Sequence, residues 1–174
     1  MAWVMQKGVP KLPLPDSYPP LLFSDGKWDT LVNNGSSIQK ANDYIYIATT
    51  GVGLNASKEG VVAYGDTWLS KAVNTITITA SFHCWGDFDG SGRGASNYVY
   101  IDTSDDGVTW TVYDSFGKSI SWAPSSYQYN VTLTQAFSRP TKKYFRIRVR
   151  SECHYGSYGS NASSDTRLRS VVFS

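Results

Sequence analysis

The sequence predicts an all-β fold: an antiparallel β-sandwich of eight strands that follows an extended N-terminal arm. Three observations predict it. From about residue 25 onward, apolar and polar residues alternate with period two, which buries one face of each strand and exposes the other. No amphipathic helix reaches a convincing length. Segments rich in glycine and serine separate the alternating runs at the spacing typical of a sandwich.

The first 22 residues differ in composition from the rest of the chain, because they hold five of its seven prolines. Proline fixes φ and removes a backbone donor, so this segment fits neither a central strand nor a helix interior. Its many apolar residues leave two alternatives open, a disordered leader or an arm docked on its own domain or on a neighbouring subunit. We therefore divide the chain into a Pro-rich arm, residues 1–22, and a β-sandwich domain, residues 23–174.

Eight strands follow the arm. The clearest are TITITASFHCW (75–85), with isoleucines, Ala80 and Phe82 on one face, and YFRIRVR (144–150), in which apolar residues alternate with arginines. The segment TSDDG contains an Asp-Gly pair, a strong signal for a tight hairpin between the fourth and fifth strands. The eight predicted strands span residues 44–48, 60–64, 75–85, 97–102, 108–113, 127–133, 144–150 and 168–173.

Four connections are expected to emerge at one end of the sandwich, because consecutive antiparallel strands run in opposite directions. These connections, after the first, third, fifth and seventh strands, are rich in glycine and serine and carry aromatic residues. Aromatic faces with polar neighbours suit sugars, although the same rings would also serve to cover the open end of the core. The candidate ligand-binding residues at this end are Trp85, Asp87, Phe88, Asp89, Arg93, Trp122, Tyr155 and Tyr158.

The stretch DFDGSG (87–92) matches the first half of an EF-hand calcium loop, with oxygen donors and a glycine at the expected positions. Tyr98 occupies the twelfth position, where the loop needs a bidentate glutamate, so the sequence excludes an EF-hand. A looser calcium site on Asp87 and Asp89, completed by other loops, stays open beside a loop built of Asx turns. We expect no other cofactor.

The mirrored pairs His83-Cys84 and Cys153-His154 contain a set of side chains that would suit tetrahedral zinc. Adjacent residues of a strand point to opposite faces, however, so the alternation predicts inward cysteines and outward histidines and argues against zinc. The sequence leaves open a disulfide between Cys84 and Cys153, or two buried thiols.

Charge and motifs exclude several functions. The net charge of +2 gives no argument for a nucleic-acid or membrane partner. No GxSxG, P-loop or GxGxxG motif is present, so we expect a non-enzyme. The outward row Arg146, Arg148 and Arg150 either binds phosphate or an acidic glycan, or stacks on tyrosines such as Tyr98 and Tyr100 of a neighbouring strand.

Two local motifs carry a resemblance to a known family. YVYIDTSDDGVTWTVY (98–113) is similar to the hairpin "strand, S-x-D-G-x-x-W, strand" of galactose-binding-like domains, which include discoidin-type domains and many carbohydrate-binding modules. KKYFRIRVR (142–150) is similar to a later strand of that family, in which an aromatic residue precedes an alternating Arg/Ile run. The resemblance implies an eight-stranded jelly roll and brings no catalytic residues with it.

A domain with a Pro-rich arm, and without an apolar segment as long as that of a signal peptide, also resembles bacteriophage tail-fibre, baseplate or decoration proteins. That resemblance implies a virion component made in the host cytoplasm, a homo-oligomer whose arm contacts other subunits and whose loop end faces outward, towards cell-surface glycans. The alternative is an extracellular carbohydrate-binding module that serves a separate enzyme. A hydrolase with an unrecognised site is a third hypothesis.

Overall fold

The computed structural model consists of two five-stranded antiparallel sheets packed face to face. It describes residues 23, 28–52, 57–64, 74–88, 94–121, 123–142, 144–154 and 162–174. The predicted arm, residues 1–22, lies outside this range. Within it, no helix is long and apolar enough to cross a membrane. The strands are β1 (Trp28–Asn34), β2 (Ser37–Lys40), β3 (Ile45–Val52), β4 (Ser57–Tyr64), β5 (Thr75–Phe88), β6 (Gly94–Ser104), β7 (Thr111–Ile120), β8 (Ala123–Ser138), β9 (Tyr144–His154) and β10 (Ala162–Phe173).

The order of the strands defines a jelly roll. The first sheet has the order β1-β4-β9-β6-β7 and the second β2-β3-β10-β5-β8. The pairs β3–β10, β4–β9, β5–β8 and β6–β7 are those of one long hairpin that turns between β6 and β7 and is wrapped so that successive pairs alternate between the sheets. The predicted sandwich and the jelly roll implied by the resemblance are therefore confirmed.

All eight predicted strands are present as β3 to β10, and the described part of the chain adds β1 and β2 at the edges. The strand β7 is displaced along the chain, because it spans Thr111–Ile120 instead of residues 108–113. The predicted Asp-Gly turn precedes it, with Gly107 at a φ of 72°. Asp106 accepts backbone hydrogen bonds from Val108 (2.7 Å) and Thr109 (2.8 Å), so an Asx-type turn fills residues that alternation had assigned to the strand.

Inward-facing residues of both sheets form one main core. It includes Ile76, Ile78 and Phe82 from β5 and Ile147 and Val149 from β9, all fully buried. At the end away from the predicted loop surface, Trp28 packs against Phe23 and Tyr64 with ring centroids 5.7 and 5.1 Å apart. The alternation in the sequence thus places these residues correctly, because each strand buries one face only.

A polar layer centred on Asn97 separates the main core from a smaller apolar cluster. Asn97 is fully buried, and its Nδ2 donates to the His83 carbonyl (3.1 Å) and to Tyr129 Oη (2.7 Å). Its Oδ1 accepts hydrogen bonds from Ser151 Oγ (2.8 Å) and Ser164 Oγ (2.6 Å). One side chain therefore joins strands of both sheets. Beyond it lies the smaller cluster, which consists of Val52, Cys84, Phe88, Ala95, Cys153 and Ala162.

Candidate functional site

The strand ends that flank the four predicted loops meet at one end of the sandwich, here called the loop end. Gly94 at the start of β6 pairs with His154 at the end of β9, and Ser57 at the start of β4 pairs with the same residue. Ala162 pairs with Val52 in the second sheet. This register confirms the prediction that the connections between the antiparallel strands emerge at one end of the sandwich.

The structure describes three of the eight predicted ligand-binding residues at least in part. Trp85 lies on the outer face of β5 with 42% of its surface exposed. Phe88 is fully buried in the smaller cluster, which corrects its assignment as a ligand contact: β5 runs on to residue 88 and keeps its inward phase. The backbone of Asp87 belongs to β5, but its side chain lies outside the description. The remaining five, Asp89, Arg93, Trp122, Tyr155 and Tyr158, also lie outside the described residues.

Trp85 stands in the first of three rows of side chains across the outer face of the second sheet. In that row Trp85 is flanked by Ser163 on β10 and Gln128 on β8. The second row consists of Asp165, His83 and Asn130, and the third of Tyr46, Arg167, Ser81 and Thr132. Successive rows are two residues apart, about 6.6 Å along the strands. The sheet therefore presents an aromatic ring and a continuous set of hydrogen-bonding groups.

Side-chain contacts hold this face in a defined arrangement. His83 Nδ1 lies 3.0 Å from Asp165 Oδ2, and burial raises the pKa of Asp165 while the neighbouring histidine opposes that shift. Ser81 and Thr132 share a hydrogen bond of 2.8 Å across the strands. Burial also raises the pKa of Tyr46 above its ordinary value. This polar surface is thus ordered by its own contacts before any ligand arrives.

The outer face of the first sheet has a different character, because its arginines are paired with carboxylates. Arg146 and Arg148 both donate to the buried Asp102, at 2.9 and 2.7 Å, and Arg150 donates to Glu59 at 2.7 Å. Arg148 also lies over the ring of Tyr100, 4.1 Å from its centroid. Of the two alternatives for the arginine row, the structure supports stacking and internal pairing.

The cysteines and histidines are placed as the alternation predicts. Cys84 and Cys153 are buried free thiols, which decides between the two alternatives left open by the sequence. Burial raises the pKa of each to about 12. His83 and His154 face outward and contact Asp165 and Glu152. No group of metal-binding side chains occurs among the described residues, and the loop of the calcium hypothesis falls largely outside them.

A shallow cavity of about 390 Å³ opens at the loop end beside β6 and β7. Serine side chains and His154 line it, together with Ile120. Among the described residues that line it there is no Phe, Tyr or Trp, and Glu152 already pairs with His154. The outer face of the second sheet, with Trp85, is therefore the better candidate for ligand binding.

The fold and this face together describe a jelly-roll sandwich with an aromatic and polar sheet surface. No protein-family model and no curated protein matches the chain. Among solved structures, it is similar to a module described under "CBM4 structure and function", at 12% identity over 87% of this chain and 99% of that one, with a TM-score of 0.38. It is also similar to CBM28, a carbohydrate-binding module specific for non-crystalline cellulose, at 16% identity over 92% and 96% of the two chains, with a TM-score of 0.39.

A third similar structure is the enzymatically active domain of bacteriophage CBA120 tailspike protein 4. The identity is 10%, the TM-score is 0.38, and the match covers 85% of this chain and 19% of that one. At this level of similarity the comparisons carry no argument about what the chain binds. The strand order above defines the fold, and the side chains of the second sheet carry the functional argument.

Proposed function

We propose that the chain is a carbohydrate-binding domain that holds an extended glycan along the outer face of the second sheet. The observation that carries the proposal is Trp85, a large apolar ring left 42% exposed in line with two further rows of polar side chains. A pyranose stacks its C–H face on such a ring while its hydroxyl groups bond to neighbouring polar groups.

The polar groups needed for this role stand next to Trp85. Ser163 and Gln128 flank it in the same row, and the contact between His83 and Asp165 lies in the next. From the row of Trp85 to the third row is about 13 Å, four residues along a strand. A ligand that contacts all three rows is therefore an oligosaccharide or a polysaccharide chain, not a single sugar.

Binding of this kind needs no catalytic group, and the expected absence of enzymatic activity stays a prediction from the sequence. The virion location and the assembly role of residues 1–22 likewise stay predictions, because the arm lies outside the described residues. An extracellular module that serves a separate enzyme uses the same binding face, so the glycan proposal stands independently of either context.

Titration of the purified chain with a panel of soluble polysaccharides tests the proposal. Burying an exposed aromatic ring under a ligand contributes about 1.5–3 kcal/mol, so Trp85→Ala is expected to weaken binding at least about tenfold. Tyr113→Ala is the matched control, since Tyr113 is 44% exposed on β7 of the other sheet. Equal affinities of the parent and Trp85→Ala, or an equal loss in Tyr113→Ala, would contradict a binding face around Trp85.

A further inference from the structure

Arg167, in the third row of the proposed glycan-binding face, differs from the arginines of the other sheet. Arg146, Arg148 and Arg150 are each paired with a carboxylate. Arg167 has no carboxylate within ion-pair distance among the residues that the structure describes, and its buried Nε has no hydrogen-bond partner there. The Nε–H of Arg167 is therefore an unused donor, and no carboxylate of the described residues neutralises the charge of its guanidinium group.

The position of the Arg167 side chain is nevertheless fixed. Its guanidinium carbon lies 3.9 Å from the ring centroid of Tyr44, and Tyr44 Oη donates to Gln39 Oε1 at 3.3 Å. Stacking on an aromatic ring leaves the edge of a guanidinium group available for hydrogen bonds in its own plane. A half-buried, pre-positioned arginine binds a carboxylate or sulfate more strongly than a mobile surface arginine, because little entropy is lost and the field is less screened.

The charges around Arg167 on this face leave room for an anion. Asp165 lies two residues earlier on the same strand, and its Oδ2 contacts His83 Nδ1 at 3.0 Å. This contact reduces the repulsion between the Asp165 carboxylate and a negative ligand. Arg169, two residues later, adds a second positive charge and bonds through Nε to Ser81 Oγ. The local balance is therefore positive next to Arg167, although the chain as a whole is close to neutral.

We propose that the glycan bound here is acidic, and that Arg167 binds its carboxylate or sulfate group while a neutral part of the same chain stacks on Trp85. This inference rests on the proposed function and adds the class of ligand to it. Because the two rows are about 13 Å apart, the acidic group and the stacked sugar belong to different residues of one oligosaccharide.

The test compares polymers that differ in charge alone. Oligosaccharides of uronic acids are measured against their carboxyl-reduced counterparts, and dextran sulfate against dextran, by calorimetry at fixed low ionic strength. The parent is expected to bind the acidic member of at least one pair about tenfold more tightly, as for a charge-assisted bidentate contact. The pair that shows the preference identifies the anion as a carboxylate or a sulfate.

Arg167→Gln is expected to remove that preference, because it weakens binding of the acidic polymer about tenfold and binding of the neutral polymer much less. Arg169→Gln changes the net charge by the same amount and is expected to retain most of the preference. Arg167→Lys keeps the charge and loses the planar fork, so it is expected to fall between Arg167→Gln and the parent. Thermal unfolding of each variant verifies that it is folded.

The outcomes separate the two proposals. No preference of the parent for either acidic polymer, or equal losses in Arg167→Gln and Arg169→Gln, would overturn the inference about Arg167. If Trp85→Ala leaves binding of every polymer unchanged, the proposed function itself fails. If Trp85→Ala weakens binding of neutral and acidic polymers while Arg167→Gln changes neither, the glycan-binding face stands and the acidic ligand is refuted.

Discussion

Replacing Asn97 with leucine tests whether the polar layer between the two apolar clusters stabilises the sandwich. Leucine has a similar size, so the change removes hydrogen bonds with little change in volume. The parent side chain makes five hydrogen bonds of 2.6–3.2 Å, to the His83 carbonyl and to the side chains of Tyr129, Ser151, Ser164 and Thr166. Each contributes about 0.5–1.5 kcal/mol net, and a buried group left without a partner costs about 1–3 kcal/mol.

The full loss is reduced because some partners keep other contacts. Ser151 Oγ and Ser164 Oγ lie 3.3 Å from each other, and Tyr129 Oη lies 3.4 Å from the Lys118 carbonyl. We therefore expect Asn97→Leu to lower the free energy of unfolding by about 3 kcal/mol. Because domains of this kind have about 5–15 kcal/mol of stability, the variant is expected to fold.

Urea denaturation followed by tryptophan fluorescence measures this loss. With a slope of about 2 kcal/mol per M, the midpoint is expected to fall by about 1.5 M. Asn130→Leu is the matched control, since Asn130 is exposed on β8, and its effect is expected to stay within about 0.5 kcal/mol. A loss below about 1 kcal/mol in Asn97→Leu, or a loss equal to that of the control, would refute the reasoning.

Two further predictions concern the cysteines and the β6–β7 turn. Burial raises the pKa of Cys84 and Cys153 to about 12. Neither thiol is therefore expected to react with Ellman's reagent in the native protein at pH 8, whereas both are expected to react in guanidinium chloride. Prompt reaction of either native thiol would contradict their burial. Hydrogen bonds from the Thr109 and Val108 amides and the Ser104 hydroxyl hold the pKa of Asp106 well below its usual range, so its contribution to stability is present above the ordinary carboxyl pKa and lost as pH falls through the depressed one. Asp106→Ala is therefore expected to lower the melting temperature at pH 7 more than Asp105→Ala, which removes only an exposed ion pair with Lys142. The difference between the two variants is expected to shrink in acid. Equal effects of the two variants at pH 7 would contradict a stabilising role of Asp106 in the turn.

Alternation predicted the strands with one buried face, and it missed those without one. Six of the seven residues of β1 are exposed, so this edge strand shows no period-two signal. Phe88 was assigned to a loop because glycine and aspartates surround it, although it continues the inward phase of Phe82 and Cys84. The phase of an established strand was thus a better guide than local composition.

The polar layer had a visible signal in the sequence, and the binding face did not. Ser151 follows Phe145, Ile147 and Val149 at an inward position of β9, which indicates a buried hydroxyl group with a partner. The contact of His83 with Asp165 joins residues 82 positions apart, and it depends on the register of β5 with β10. That register follows from the packing of both sheets, which no local pattern contains.

The register also places the start of the first strand and the end of the last strand at the same end of the sandwich. Trp28 pairs with Tyr64 and Phe173 with Ile76, so the first and last strands have their outer termini at the end opposite the loop end. The 14 residues of β5 run between the two ends, a rigid length of roughly 45 Å. A partner joined through residue 28 or residue 174 would therefore lie a full strand length away from the loops.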